Sequence, residues 1–215
     1  MTVSLLFSAF CCITYLGAIY YDIYYMPRLG TEWWIAKLVM LTNIDLVIQA
    51  YYSFLLLLSH CGNPKLKRFK DFTFFTTAFP CGMATCLLFW ILYLFDPESI
   101  MPKWIRDLIP FWMNHVTHTF PLIALTVDLF FAKHVAVNFS RGSLMVLLLF
   151  WVYFLLVVYI RFSWGYWLYP IFDMIGPLPS IIFILAAGFI FWGLFYIGYK
   201  AHYLTKNSWN HLKLQ

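Results

Sequence analysis

Charged side chains are scarce in this sequence. Asp, Glu, Lys and Arg make up 11% of its 215 residues, whereas hydrophobic residues make up 63%. A soluble domain carries about a quarter charged residues, so the composition excludes an ordinary soluble protein and favours a membrane protein of one domain. The net charge of +5 does not indicate nucleic-acid binding, because the basic residues lie between apolar segments, where such charges report membrane orientation.

The sequence also lacks a recognisable cysteine pattern. Its five cysteines are an odd number, and four of them lie inside apolar segments: Cys11, Cys12, Cys81 and Cys86. A thiol in such surroundings behaves as a small hydrophobic side chain. The spacings fit neither a disulfide framework nor a zinc site. We therefore expect no disulfide scaffold, no metal and no cofactor.

Long apolar segments are abundant instead. A membrane-spanning helix needs about 20 predominantly apolar residues. Six segments qualify, and they cover residues 4–25, 35–59, 72–95, 108–132, 143–161 and 180–200. The first segment lacks the basic start and cleavage site of a signal peptide, so we expect it to be retained. The sequence predicts an all-α integral membrane domain over residues 1–215, with six transmembrane helices, in the plasma membrane or the endomembrane system.

The distribution of Lys and Arg predicts the orientation of these helices. Nine of the 14 basic residues lie on the side that holds the loops after spans two and four and the C-terminal end. Basic residues are enriched in cytoplasmic loops, so both termini are predicted to be cytoplasmic. The glycosylation sequon at 138–140 would then also be cytoplasmic and would stay unmodified.

The fourth predicted span contains a concentration of polar residues at 114–119 (NHVTHT). Imidazole is costly to desolvate, so an ionisable side chain at membrane depth is a candidate for function. Asn114 and His118 are four residues apart and share one helix face. A second polar face lies on predicted span two, where it contains Thr42, Asp45 and Gln49. Both faces should turn away from lipid, which predicts a polar pocket between them in the outer half of the bilayer.

A threonine and a histidine facing each other would form a dyad for acyl transfer. A hydroxyl is a poor nucleophile until a base removes its proton, and imidazole is the usual base. Thr42 would be the nucleophile and His118 the base. An oxyanion needs side-chain donors here, because backbone N–H groups inside a helix are already used. The candidates for this and other supporting roles are Asn114, His115, Asn43 and Asp45.

Other interpretations of the same residues stay open. A threonine in a membrane helix commonly bonds the carbonyl one turn back. His115 and His118 with Asp45 offer ligands suited to zinc or iron, as in a metal-dependent membrane lipid enzyme. A single pair of histidines provides fewer ligands than the metal sites of membrane enzymes usually have. The polar faces could also form the permeation path or the helix contacts of a non-catalytic carrier or scaffold.

The predicted loop 162–179 interleaves aromatic residues with glycine and proline. Trp and Tyr are enriched where a membrane protein meets the headgroup region. The loop therefore predicts either an interfacial anchor or a partial cap above the polar pocket.

Several segments resemble the family of the androgen-induced gene 1 protein and the androgen-dependent regulator of tissue factor pathway inhibitor. They are 41–49 (LTNIDLVIQ), 78–80 (AFP), 89–93 (FWILY), 100–103 (IMPK), 109–119 (IPFWMNHVTHT) and 167–170 (WLYP). The resemblance implies a multi-pass membrane hydrolase of fatty acid esters of hydroxy fatty acids. It places the threonine nucleophile at Thr42 and the essential histidine at His118. Asn43 departs from the family, which tends to have an apolar residue there, so substrate preference is the property most open to difference.

Such a substrate is a lipid that enters from the bilayer and carries a carboxylate. Its chains would lie among apolar walls, and its carboxylate would reach basic residues at the outer end of the spans. The candidates for binding this carboxylate are Lys37, Lys103 and Arg161.

Overall fold

The computed structural model describes residues 2–28, 33–132, 134–135 and 137–212. This part of the chain contains eleven α-helices and no β-strand, so the predicted all-α class is confirmed. The helices are α1 (Thr2–Tyr24), α2 (Trp33–Val39), α3 (Leu41–Leu58), α4 (Pro64–Thr73), α5 (Phe79–Phe95), α6 (Lys103–Arg106), α7 (Phe111–His118), α8 (Phe120–Phe131), α9 (Phe139–Trp164), α10 (Ile171–Ile175) and α11 (Pro177–Leu212).

Five helical segments of the described chain are long and apolar enough to cross a membrane. They are Val3–Tyr24, Leu41–Cys61, Pro64–Phe95, Phe139–Trp164 and Pro177–Tyr203. Each overlaps one predicted span, and the protein is an integral membrane protein. The third segment is continuous because a π-helical turn, Phe74–Ala78, joins α4 to α5.

Two of the predicted spans are interrupted. Predicted span 108–132 is divided at Thr119, where the backbone leaves helical geometry (φ −126°, ψ −43°). Pro121 lies two residues further along, and a proline has no N–H to donate to the preceding turn. Predicted span 35–59 is interrupted at Met40, which is extended (φ −73°, ψ 130°). The second interruption makes Leu41 the first residue of α3.

The hydrophobic core lies where α3, α5, α8, α9 and α11 meet. Its largest fully buried side chains are Phe74, Phe75, Phe79, Phe195 and Leu125. Gly82 lets α5 approach its neighbours, because a Cβ at this position would lie 2.6 Å from Gln49 Nε2 and from Leu125 Cδ1. Small residues allow this kind of close packing between membrane helices.

A buried polar network ties α3, α4 and α8 to the linker after α8. His134 Nδ1 lies 2.8 Å from Asp71 Oδ1, and Lys70 pairs with the same carboxylate. On the other side of the imidazole, Asp128 accepts a hydrogen bond from Tyr52. Asp128 is buried in this network. Its position in the sequence also suggests pairing with Lys133, which lies outside the described residues.

Candidate active site

Thr42 and His118 meet between two helices that are distant in sequence. Thr42 Oγ1 lies 3.2 Å from His118 Nε2, which is hydrogen-bond distance. Thr42 is on α3 and His118 is the last residue of α7. The His118 side chain is buried, with the residue 5% exposed. The structure therefore brings together the hydroxyl and the imidazole on which the sequence-based dyad depends.

Thr42 lies in the first turn of α3, because the helix begins at Leu41. N–H groups of a first turn have no partner within their helix and carry partial positive charge. The Leu41 N–H donates to the Tyr169 hydroxyl (3.0 Å), and the N–H groups of Asn43 and Ile44 donate to the Met40 carbonyl. The Thr42 N–H has no acceptor among the described residues. It is a free donor on the nucleophile candidate itself.

The surroundings of His118 fix the tautomer of its imidazole. Its Nδ1 lies 3.1 Å from the Asn114 carbonyl and 2.9 Å from Asn114 Oδ1. A backbone carbonyl can only accept, so Nδ1 carries the proton. The Thr117 hydroxyl, 3.0 Å from Nδ1, donates to the Met113 carbonyl and can accept from the ring. Nε2 is then the unprotonated nitrogen, and it faces the Thr42 hydroxyl.

Phe89 and Trp90 of α5 hold His118 in place. The Phe89 ring stacks on the imidazole with centroids 3.6 Å apart and planes 12° apart. Trp90 Nε1 donates to the His118 carbonyl (2.8 Å) and to Thr119 Oγ1 (3.2 Å). Carbonyls at a helix end need partners outside the helix, so Trp90 stabilises the break at Thr119. The sequence offered the segment 89–93 only as part of the family resemblance and gave no signal for this role.

Thr42 and His118 both line a cavity of about 400 Å³, here called the central cavity. This volume lies within the range of ligand pockets in proteins. Its walls come mainly from α3, α5, α9 and α11 and are almost wholly apolar. The apolar lining residues include Ile48, Leu88, Phe150, Val157, Ile184 and Phe191. The arrangement suits a ligand that is mostly hydrocarbon and has a polar group at Thr42.

The loop between α9 and α11 covers part of this cavity. Tyr169, Ile171 and Phe172 contribute to its wall. The Tyr169 hydroxyl lies 2.7 Å from that of Tyr153, and burial raises the pKa of Tyr169 above its usual value. Tyr169 is therefore neutral at ordinary pH when it accepts from the Leu41 N–H. Of the two sequence-based interpretations of this loop, the contacts favour a cap.

Three of the four supporting candidates, Asn114, His115 and Asp45, lie around the dyad in different ways. Asn114 contacts the far nitrogen of His118, whereas His115 Nδ1 contacts Thr119 Oγ1 (3.0 Å) and its ring packs against Trp90. Neither residue lines the central cavity. Asp45 is buried and accepts from Gln49 Nε2 (2.8 Å). The structure therefore places Asn114 as a support for His118 and Asp45 in a separate hydrogen bond.

The three candidates for binding the substrate carboxylate also lie in different places, and one of them lines the cavity. Lys37 lines the cavity, where its Nζ pairs with Asp22 Oδ1 at 2.8 Å. Arg161 donates to the Gly165 carbonyl and lies over the Trp167 ring, away from the cavity wall. Lys103 is exposed and is not part of the wall. Lys37 is thus the candidate that the structure brings to the site.

The described residues contain neither a set of metal ligands nor a disulfide. Across the described ranges, no group of three or more His, Cys, Asp or Glu side chains is placed to hold a metal ion. All five cysteines are described and none is in a disulfide. The ring nitrogens of His115 and His118 contact different partners.

Comparison with known proteins supports the resemblance seen in the sequence. The profile described as FAR-17a/AIG1-like protein matches residues 3–203. The chain is 32% identical over 158 residues to the androgen-induced gene 1 protein of Homo sapiens, with 66% of each chain covered. It is 30% identical over 135 residues to the androgen-dependent TFPI-regulating protein of Mus musculus, with 63% of this chain and 59% of the mouse protein covered.

The match to the androgen-dependent TFPI-regulating protein of Rattus norvegicus is longer. It shows 28% identity over 202 residues and covers 84% of this chain and 85% of the rat protein. The human and mouse matches, in contrast, span less than two thirds of the length of those relatives. No solved structure matches the chain.

Proposed function

The chain belongs to the FAR-17a/AIG1-like family, and we propose that it is a membrane-embedded esterase with a threonine nucleophile. Its substrates are fatty acid esters of hydroxy fatty acids, taken from the bilayer. The observation that carries this proposal is the contact between Thr42 Oγ1 and His118 Nε2 on the wall of an apolar cavity.

In the first step, Thr42 attacks the ester carbonyl. His118 Nε2 accepts the hydroxyl proton, while Nδ1–H keeps its bonds to Asn114. The tetrahedral intermediate collapses to an acyl-threonine, and His118 returns the proton to the departing alcohol. A water molecule then attacks the carbonyl of the acyl-threonine, and His118 accepts its proton. His118 returns that proton to the Thr42 oxygen as the carboxylic acid is released.

The oxyanion of each tetrahedral intermediate is stabilised by the Thr42 N–H. This donor belongs to the attacking residue and lies at the positive end of α3. Asn43 is a weaker candidate, because its Nδ2 donates to the Lys37 carbonyl (3.0 Å). Asn114 is a positioning residue rather than an oxyanion donor, because it lies behind His118 and away from the cavity.

The topology that fits this function has six spans and cytoplasmic termini. α7 and α8 together extend over residues 111–131, which is about 30 Å at 1.5 Å per residue and enough to cross a bilayer. The break at Thr119 then lies within the fourth span, where Trp90 Nε1 donates hydrogen bonds to the His118 carbonyl and to Thr119 Oγ1. Thr42, near the start of the second span, opens to the outer half of the membrane.

The decisive experiment measures ester hydrolysis by purified protein in proteoliposomes. We expect Thr42→Ala and His118→Ala each to abolish turnover while the protein remains folded by size-exclusion chromatography. Thr126→Ala is the matched control, because the Thr126 hydroxyl donates to the carbonyl one turn back and lies outside the cavity. A fluorophosphonate probe should label wild type at Thr42.

Full activity in Thr42→Ala would show that this residue is not the nucleophile. Activity that is lost on chelation and restored by a divalent metal, with Thr42→Ala still active, would indicate a metal-dependent lipid enzyme instead. Lipid transfer between vesicles that survives both substitutions, without any hydrolysis, would indicate a carrier.

A further inference from the structure

An ion pair lies on the wall of the central cavity. Lys37 Nζ is 2.8 Å from Asp22 Oδ1 and also donates to the Asp22 backbone carbonyl (2.9 Å). The two side chains are 22% and 18% exposed. Both residues line the cavity that contains Thr42 and His118. The pair is therefore accessible to a ligand but is largely shielded from water.

This pair supplies the formally charged side chains among the described residues of the cavity wall. Among the described lining residues, Lys37 is the one Lys or Arg and Asp22 is the one Asp or Glu. The wall is otherwise apolar apart from a few neutral polar groups. A carboxylate that approaches Lys37 must share it with Asp22, and like charges repel more strongly when water is excluded.

The position of Lys37 is coupled to that of the nucleophile. Asn43 Nδ2 donates to the Lys37 carbonyl (3.0 Å), and Asn43 directly follows Thr42. The backbone that carries the cation is thus fixed relative to the start of α3. A carboxylate bound at Lys37 would therefore lie at a defined distance from the Thr42 hydroxyl.

We propose that Asp22 is a specificity-determining residue that competes with the substrate's carboxylate for Lys37. This inference rests on the proposed esterase function and goes further by naming what sets substrate preference. A free-acid ester binds by displacing the Asp22 carboxylate from Lys37. An ester with an uncharged far end leaves the ion pair in place and meets no such competition.

A purely structural role for the pair leads to a different expectation. The pair joins the end of α1 to α2. If that were its only role, breaking it would lower stability and affect all substrates alike. The two roles are separated by comparing a hydroxy fatty acid ester that carries its free carboxylate with the methyl ester of the same lipid.

The experiment measures kcat/KM for both lipids with the full-length protein in proteoliposomes. For Asp22→Asn, we expect the ratio of the acid value to the methyl ester value to rise about five-fold, as for a partly screened ion pair. For Lys37→Met, we expect the ratio to fall below that of wild type. Glu98→Gln is the control, because it breaks the Arg106–Glu98 pair outside the cavity and should leave the ratio unchanged.

An unchanged or lowered ratio in Asp22→Asn would overturn the proposal. A second readout does not depend on catalysis: binding of a long-chain fatty acid, relative to the corresponding fatty alcohol, to proteins that carry Thr42→Ala. Asp22→Asn should raise this relative affinity about five-fold, and no change would again overturn the proposal. If wild type hydrolyses neither ester but the relative affinity shifts as expected, the esterase assignment fails and the role of Asp22 stands.

Discussion

At the scale of single residues, Asn114 sets the tautomer of the His118 imidazole through its backbone carbonyl and its side-chain oxygen together. Asn114 offers its carbonyl and its side-chain oxygen to His118 Nδ1, so that Nε2 is left as the base that faces Thr42. The spacing of four residues between Asn114 and His118 predicted a shared face. It did not predict the orientation of the His118 ring, which contacts Thr42 of α3 and Phe89 of α5.

This arrangement predicts that Asn114→Ala lowers kcat about ten-fold, because one neutral hydrogen bond to the base is lost while the backbone carbonyl still holds the proton on Nδ1. KM should change little, since Asn114 does not line the cavity. Asn114→Asp keeps an acceptor oxygen at the same place and should recover most of kcat. Steady-state kinetics on the three proteins decides the matter, and a change in KM alone would assign Asn114 to substrate binding instead.

At the scale of helices, periodicity and hydropathy were sufficient to locate the long segments but not their interruptions. The break at Met40 has no proline or glycine beside it. It is accompanied by the bond from the Leu41 N–H to Tyr169, a residue 128 positions away in sequence. A local pattern contains no information about such a partner, so the sequence predicted a continuous span and missed the free Thr42 N–H. The break at Thr119 had a local signal in Pro121.

The close approach of α5 to α3 gives a testable prediction at this scale. Gly82→Ala places a methyl group 2.6 Å from Gln49 Nε2 and from Leu125 Cδ1, so these buried side chains must shift. Gln49 Nε2 is held in place by its hydrogen bonds to Asp45 Oδ1 and to the Ala78 carbonyl. Overpacking of this kind costs about 1–3 kcal/mol. We expect a lower thermal unfolding midpoint in detergent micelles. Gly17→Ala is the matched control, because nothing lies within 4 Å of the added methyl group, and an equal loss of stability in both variants would contradict the packing argument.

At the scale of the whole molecule, polar groups concentrate in two places along the same helix bundle. Thr42 begins α3, and Tyr52 lies ten residues further along it, about 15 Å away at 1.5 Å per residue. The first place opens to a cavity, whereas the network of Tyr52, Asp128, His134 and Asp71 is closed and internally bonded. Helix spacing predicted that Thr42 and His118 face each other, but the sequence predicted a polar pocket around them, whereas the walls of the cavity are almost wholly apolar. The sequence could not predict the second, because its members come from four separate segments.

The number of spans gives the prediction that applies to the molecule as a whole. With six spans, Cys61 and position 140 lie on the same, cytoplasmic face. If α7 and α8 did not cross the membrane, the two positions would lie on opposite faces. Cys61 is the exposed cysteine, and Ser140 is exposed as well. A membrane-impermeant maleimide should therefore label both Cys61 and Ser140→Cys, in a background with the other cysteines replaced, only after the plasma membrane is permeabilised. Labelling of Ser140→Cys in intact cells, with Cys61 protected, would instead show that the bundle has five spans and that its termini lie on opposite sides of the membrane.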